Sequence, residues 1–147
     1  MRYYLPQNSK NNAKSMASIF TKIISGEIPC YQIGEDDRYF AFLDINPVSE
    51  GHTLVVPKTE EDYLFNLDDD NLAGLIQFAK KVAHGIDAAL GTLRTGIVVE
   101  GLEVPHAHIH LIPIYYKGQA VSLGRKLDVS EARMNELATL ISKNTQI

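Results

Sequence analysis

Apolar residues recur at helical spacing over residues 71–90, where Leu72, Leu75, Ile76, Ala79, Val82, Ala83 and Ile86 share one face. The acidic run 68–70 suits the start of that helix, because the helix dipole favours negative charge there. A second helix is expected from about Ser130, with Met134, Leu137, Ala138 and Ile141 on one side. A short helix over 18–24 has Ser18 as its N-cap and Gly26 near its end. Strand-like runs occupy 31–34, 39–43, 52–56, 96–99 and 106–114, broken by the turn Glu35-Asp36-Asp37, by Asn46-Pro47, by Pro57 and by a loop at Gly101. Short antiparallel strands with two long helices predict an α+β domain without internal repeat or linker.

The run 106–111 alternates His106, His108 and His110 with Ala107, Ile109 and Leu111. On a strand, side chains alternate faces, so three imidazoles share one face with Cα atoms roughly 6–7 Å apart and the other face is apolar. Three readings are open: a solvated face, a metal site built from neutral imidazoles, or nucleophilic and acid–base chemistry in which crowded rings take distinct protonation states. His52 begins another strand and, alone, fits a structural role. His84 falls beside Gln77, Lys80 and Lys81 on the polar side of the long helix and is expected to face solvent.

Composition narrows the field. The chain has 147 residues, of which 45% are apolar and 22% charged, enough for one ordinary globular core. Its longest apolar runs fall well short of a membrane span. The single Cys30 cannot form an internal disulfide and suits a reducing, cytoplasmic setting. Residues 1–15 are polar and carry three basic side chains and no acidic one; without an apolar run they do not read as a secretory signal. They are expected to be an extension outside a domain spanning 16–147, or to precede a true start at Met16. The remaining chain holds 11 basic against 18 acidic residues, a net of −7, a poor match for polymeric nucleic acid but compatible with a small phosphorylated ligand.

Four ordered blocks now resemble the histidine triad (HIT) family of nucleotide hydrolases and transferases: Ser-Ile-Phe-Thr-Lys-Ile-Ile-Ser-Gly-Glu-Ile-Pro from Ser18, Phe-Leu-Asp-Ile-Asn-Pro from Phe42, Gly-His-Thr-Leu-Val-Val-Pro-Lys from Gly51, and His-Ala-His-Ile-His-Leu-Ile from His106. The resemblance implies a five-stranded antiparallel sheet with two main helices, joined across a homodimer. It implies attack on the α-phosphate of a small, commonly purine, nucleotide through a covalent nucleotidyl-histidine, without a cofactor. His108 would be the nucleophile, the His106 carbonyl would fix its tautomer, and His110 would contact phosphate oxygens. His52 would bond to His106, Asp44 would hold the ribose, and Ile19, Phe20, Ile23, Phe42 and Ile45 would line the base pocket. The substrate is expected to be a nucleoside phosphoramidate; the alternatives are a dinucleoside polyphosphate hydrolase and a nucleotide-binding module with weak catalysis.

Two segments depart from the family pattern. Where many bacterial relatives hold a structural zinc, this chain has Ser18, Thr21 and Glu60, and without thiolates no metal site is expected. The loop before the triad reads Gly101-Leu102-Glu103-Val104-Pro105, with Leu102 and Glu103 where the family has Gln and a hydroxyl. Glu103, desolvated near phosphate with a raised pKa, is expected to donate the leaving-group proton. Glu100 stands near the place of a supporting Asn.

Overall fold

The computed structural model describes residues 17–147, so the expectations for 1–15 and Met16 lie outside the described residues. In chain order the elements are α1 (Ile19–Ile24), β1 (Gln32–Glu35), β2 (Tyr39–Leu43), β3 (Thr53–Pro57), a 3-10 turn (Leu64–Asn66), α2 (Asp69–Leu90), β4 (Arg94–Val98), β5 (Ile109–Ile114) and α3 (Glu131–Asn144). The five strands form one antiparallel sheet in the order β1-β2-β3-β5-β4.

Helix boundaries follow from caps. Asp68 accepts from the Asn71 amide, so α2 begins at Asp69, two residues before the apolar period alone suggests. Ser18 and Ser130 cap α1 and α3 in the same way. Gly91, at φ +61°, closes α2 in the left-handed conformation that glycine adopts without strain.

Strand alternation divides the sheet into two unlike faces. Ala41, Leu43, Val55, Ala107, Ile109 and Leu111 pack under α2 and α3 in the main core. Cutting one of these larger side chains to alanine would cost about 2–5 kcal/mol. On the opposite face Phe40, Phe42, Leu54 and Val56 meet Phe20 of α1 in a smaller cluster. His52, His106, His108 and His110 lie on this second face.

Two strand ends differ from the sequence pattern. β4 starts at Arg94 because Arg94 and Thr95 pair with Ile114 and Pro113. β5 starts at Ile109 rather than at His106, because the groups that would extend the ladder are used elsewhere. The Ala107 amide donates to the Glu61 carbonyl (2.6 Å), and the Pro57 carbonyl receives the His106 ring (2.8 Å). Among the described residues, no helix is long and apolar enough to cross a membrane.

Candidate active site

The partners of each imidazole decide where its proton sits. His106 is fully buried, with Nε2 2.8 Å from the Pro57 carbonyl and Nδ1 2.7 Å from the Ser18 hydroxyl. A carbonyl only accepts, so Nε2 carries the proton and Nδ1 accepts from Ser18. The His106 carbonyl in turn accepts from His108 Nδ1 at 2.7 Å. His108 therefore presents an unprotonated Nε2, a free lone pair, and its ring is held edge-on against Phe20 at 5.2 Å.

A second chain of bonds runs through His52 and ends with the opposite polarity. The Val48 amide donates to His52 Nδ1 at 3.0 Å, which leaves the His52 proton on Nε2. That proton is donated to His110 Nδ1, 2.9 Å away. His110 therefore keeps its own proton on Nε2. A lone pair on His108 and an N–H on His110 stand side by side, with ring centroids 4.9 Å apart.

This geometry corrects the expectation that His52 bonds to His106. The register pairs Thr53 with Leu111 and Leu54 with His110, so His110 is the diagonal same-face neighbour of His52. His106 lies beyond the other end of β3, beside Pro57.

Burial keeps the cluster neutral. Desolvation pushes His52 down to about 4 and His110 down to about 3, helped in each by a neighbouring imidazole. His106 and His108 are lowered by the same cause. Asp44 Oδ2 lies 3.5 Å from His52 Nε2 and 3.9 Å from His110 Nδ1. Those contacts join a carboxyl to neutral rings at neutral pH, so they are not ion pairs. Burial raises the Asp44 carboxyl, and the Asn46 amide (2.8 Å) offsets part of that rise.

The remaining expected residues divide by depth. Phe20 and Phe42 are buried and stacked edge-on at 5.4 Å, and Ile23 packs against their cluster. Ile19 and Ile45 are exposed, 48% and 72%, and so are free to meet a ligand. Glu103 is exposed as well, so the chain does not supply the desolvation expected of it, although its charge reaches both His108 and Asp44. Glu100 and His84 are exposed.

Ser18, Thr21 and Glu60 do come together with His106, but as two hydroxyls and a carboxylate already hydrogen-bonded to one another and to the ring. That set does not fit a structural zinc. Among the described residues, Asp44, His52 and His110 place three donor atoms within 4.8 Å of one another. The His52–His110 hydrogen bond uses the same two nitrogens, so an ion there would have to displace it.

Sequence reasoning missed three contributors. Ser18 was legible as a helix cap but not as the donor to His106. Asp62, whose charge reaches His106 and His108, and Lys126, whose charge lowers Asp44, stand in segments without a recognisable pattern.

A sheet of this order, with its four clustered histidines and α1 on one face and α2 and α3 on the other, is shared with solved histidine triad proteins. The family model described as the HIT domain matches residues 25–117, so the chain belongs to the HIT family. It is 37% identical over 134 residues to an uncharacterized HIT-like protein of Borreliella burgdorferi, covering 86% of this chain and 96% of that one. It is 37% identical over 99 residues to the adenosine 5'-monophosphoramidase of Schizosaccharomyces pombe, covering 67% and 74%. Among solved structures, a hypothetical histidine triad nucleotide-binding protein of Sulfolobus tokodaii superposes with a TM-score of 0.76 at 30% identity, covering 85% of this chain and 89% of that one.

Proposed function

We propose that this protein hydrolyses a small purine nucleotide adduct, a nucleoside phosphoramidate, through a covalent nucleotidyl-histidine on His108. The observation that carries the reading is the free Nε2 lone pair of His108 beside the N–H of His110. The phosphoramidase name of the fission-yeast relative supports the substrate class.

In the first step His108 Nε2 bonds to the α-phosphorus as the bond from phosphorus to the leaving amine breaks. The electron pair leaves with the amine nitrogen, which takes a proton from Glu103. His110 donates to a phosphate oxygen and steadies the charge that builds there. Water then attacks the phosphorus, the phosphorus–Nε2 bond breaks, and the proton released by water returns to Glu103. Two displacements replace one difficult step. The Glu103 role requires the bound substrate to exclude water from that exposed side chain.

Asp44 accepts from the ribose hydroxyls, and Ile19 and Ile45 cover the base above Ile23, Phe20 and Phe42. The β4 edge carries the exposed Ile97 and, just past its end, Val99, which suits sheet extension into a homodimer. A cytoplasmic setting suits the lone Cys30.

The test is turnover of adenosine and guanosine phosphoramidates beside a dinucleoside polyphosphate at equal concentration. Preferred release of the amine supports the reading. Preferred cleavage of the dinucleotide, or AMP binding without turnover of any adduct, overturns it.

A further inference from the structure

We propose that Ser18, Thr21 and Glu60 form a hydrogen-bonded clamp that positions His108 by holding His106, and that Ser18 is the positioning residue through which it acts. The inference rests on the reading of His108 as nucleophile and extends it to residues that touch no substrate.

The bonds link the surface to the ring. Glu60 Oε1 accepts from the Ser18 amide (2.5 Å) and from the Thr21 hydroxyl (2.9 Å). Those bonds, the first above all, hold the Glu60 carboxyl below its usual range, so it stays an acceptor at neutral pH. Ser18 Oγ accepts from the Thr21 amide (3.0 Å), the capping bond of α1. One Ser18 lone pair is so occupied, and the single hydroxyl proton has two acceptors at hydrogen-bond distance. His106 Nδ1 at 2.7 Å is nearer than Thr21 Oγ1 at 3.2 Å. The Thr21 proton is already directed to Glu60, which leaves the Ser18 proton for the ring.

His106 is thereby gripped at both nitrogens, by Ser18 on one side and the Pro57 carbonyl on the other. A ring fixed at both ends cannot flip or exchange tautomers without breaking a buried bond. Its backbone carbonyl is the acceptor for His108 Nδ1, so a fixed His106 aims the His108 lone pair. Small misplacements of a reacting group cost large factors in rate, which gives the clamp its leverage. Phe20, in the same helix as Thr21, packs edge-on to both rings and ties α1 to the same movement.

Two variants separate positioning from simple helix stability. Ser18→Gly keeps a serviceable N-cap but removes the donor to His106. Glu60→Ala removes an exposed carboxylate with little risk to folding. In each, kcat for a phosphoramidate should fall by about tenfold or more while KM stays near wild type. Glu60→Gln, whose amide oxygen still accepts both bonds, should retain most of the rate. Nitrogen-15 spectra of the histidine rings in the free protein supply the second readout. Ser18→Gly should shift the His106 Nδ1 resonance away from its hydrogen-bonded position, and exchange broadening should spread to His108. Unmoved His106 and His108 resonances in Ser18→Gly would overturn the clamp, and so would unchanged kcat in both variants of a protein that turns over a phosphoramidate. The ring spectra need no substrate, so they decide the clamp even if the wild-type protein turns over no phosphoramidate, a result that would count against the proposed function alone.

Discussion

His108 donates its Nδ1–H to the backbone carbonyl of His106 across 2.7 Å, so the ring of the proposed nucleophile is aimed by the residue two positions before it. A backbone acceptor cannot change protonation state. The free lone pair on Nε2 is therefore a property of the chain path, and it persists wherever His108 stays neutral.

In the proposed reaction His52 acts through His110, to which it is hydrogen-bonded. Replacing it with alanine leaves buried His110 Nδ1 without a donor and frees the ring to place its proton on either nitrogen. His52→Ala should lower kcat by about 10- to 100-fold, less than the roughly 100- to 1,000-fold lost when a charge-stabilising donor is removed outright. His52→Gln, whose amide can still donate, should recover part of the loss. Steady-state kinetics on the two variants checks this, and equal rates in all three proteins would contradict it.

Acid should destabilise the protein through the same cluster. Unfolded imidazoles protonate near 6.5, whereas burial holds His52 near 4 and His110 near 3. Below 6.5 the unfolded state binds more protons, so the stability present above that value is lost as pH falls towards the folded values. The slope is at most about 1.4 kcal/mol per pH unit for each group. Urea midpoints should decline between about pH 7 and about pH 5, and His110→Asn should flatten the decline. An unchanged midpoint in the wild-type protein would count against neutral buried rings.

Gly51 carries the turn that delivers His52. Its φ of +89° is strained for any other residue, and an added Cβ would stand 2.5 Å from Leu90 Cδ1 and 3.3 Å from Pro113 Cγ. Gly51→Ala should destabilise by about 1–3 kcal/mol, read as a lower thermal midpoint. A midpoint equal to wild type would show that the turn relaxes freely.

Glu103→Gln keeps size and removes the acid. It should lower kcat/KM for phosphoramidates and alter the pH profile of that constant. If both are unchanged, the leaving amine takes its proton from solvent.

What the sequence made legible was whatever depends on local period. Ala107, Ile109 and Leu111 were assigned to the core by alternation alone and lie there. The histidines opposite them were grouped correctly for the same reason. Alternation carries no information about which rung faces which across the sheet, so it could not test the His52–His106 bond that the resemblance implies, and the register delivers His52 to His110. The start of β5 was missed because it depends on a carbonyl of Glu61 and on the ring of His106, neither of which a strand pattern encodes. The desolvation expected of Glu103 follows from the place near phosphate that the resemblance gives it, yet the side chain is exposed. Ser18 had a local reason to be serine, its capping bond to Thr21, and that reason hid its contact with a residue 88 positions away.

The most direct test of the central claim is to quench a turnover reaction in denaturant and locate the bound nucleotide by peptide mass. One nucleoside monophosphate is expected on the peptide carrying His108, attached at that residue, with no adduct or turnover in His108→Ala. Full activity in His108→Ala, or nucleotide trapped on His110 or His52 instead, would contradict it.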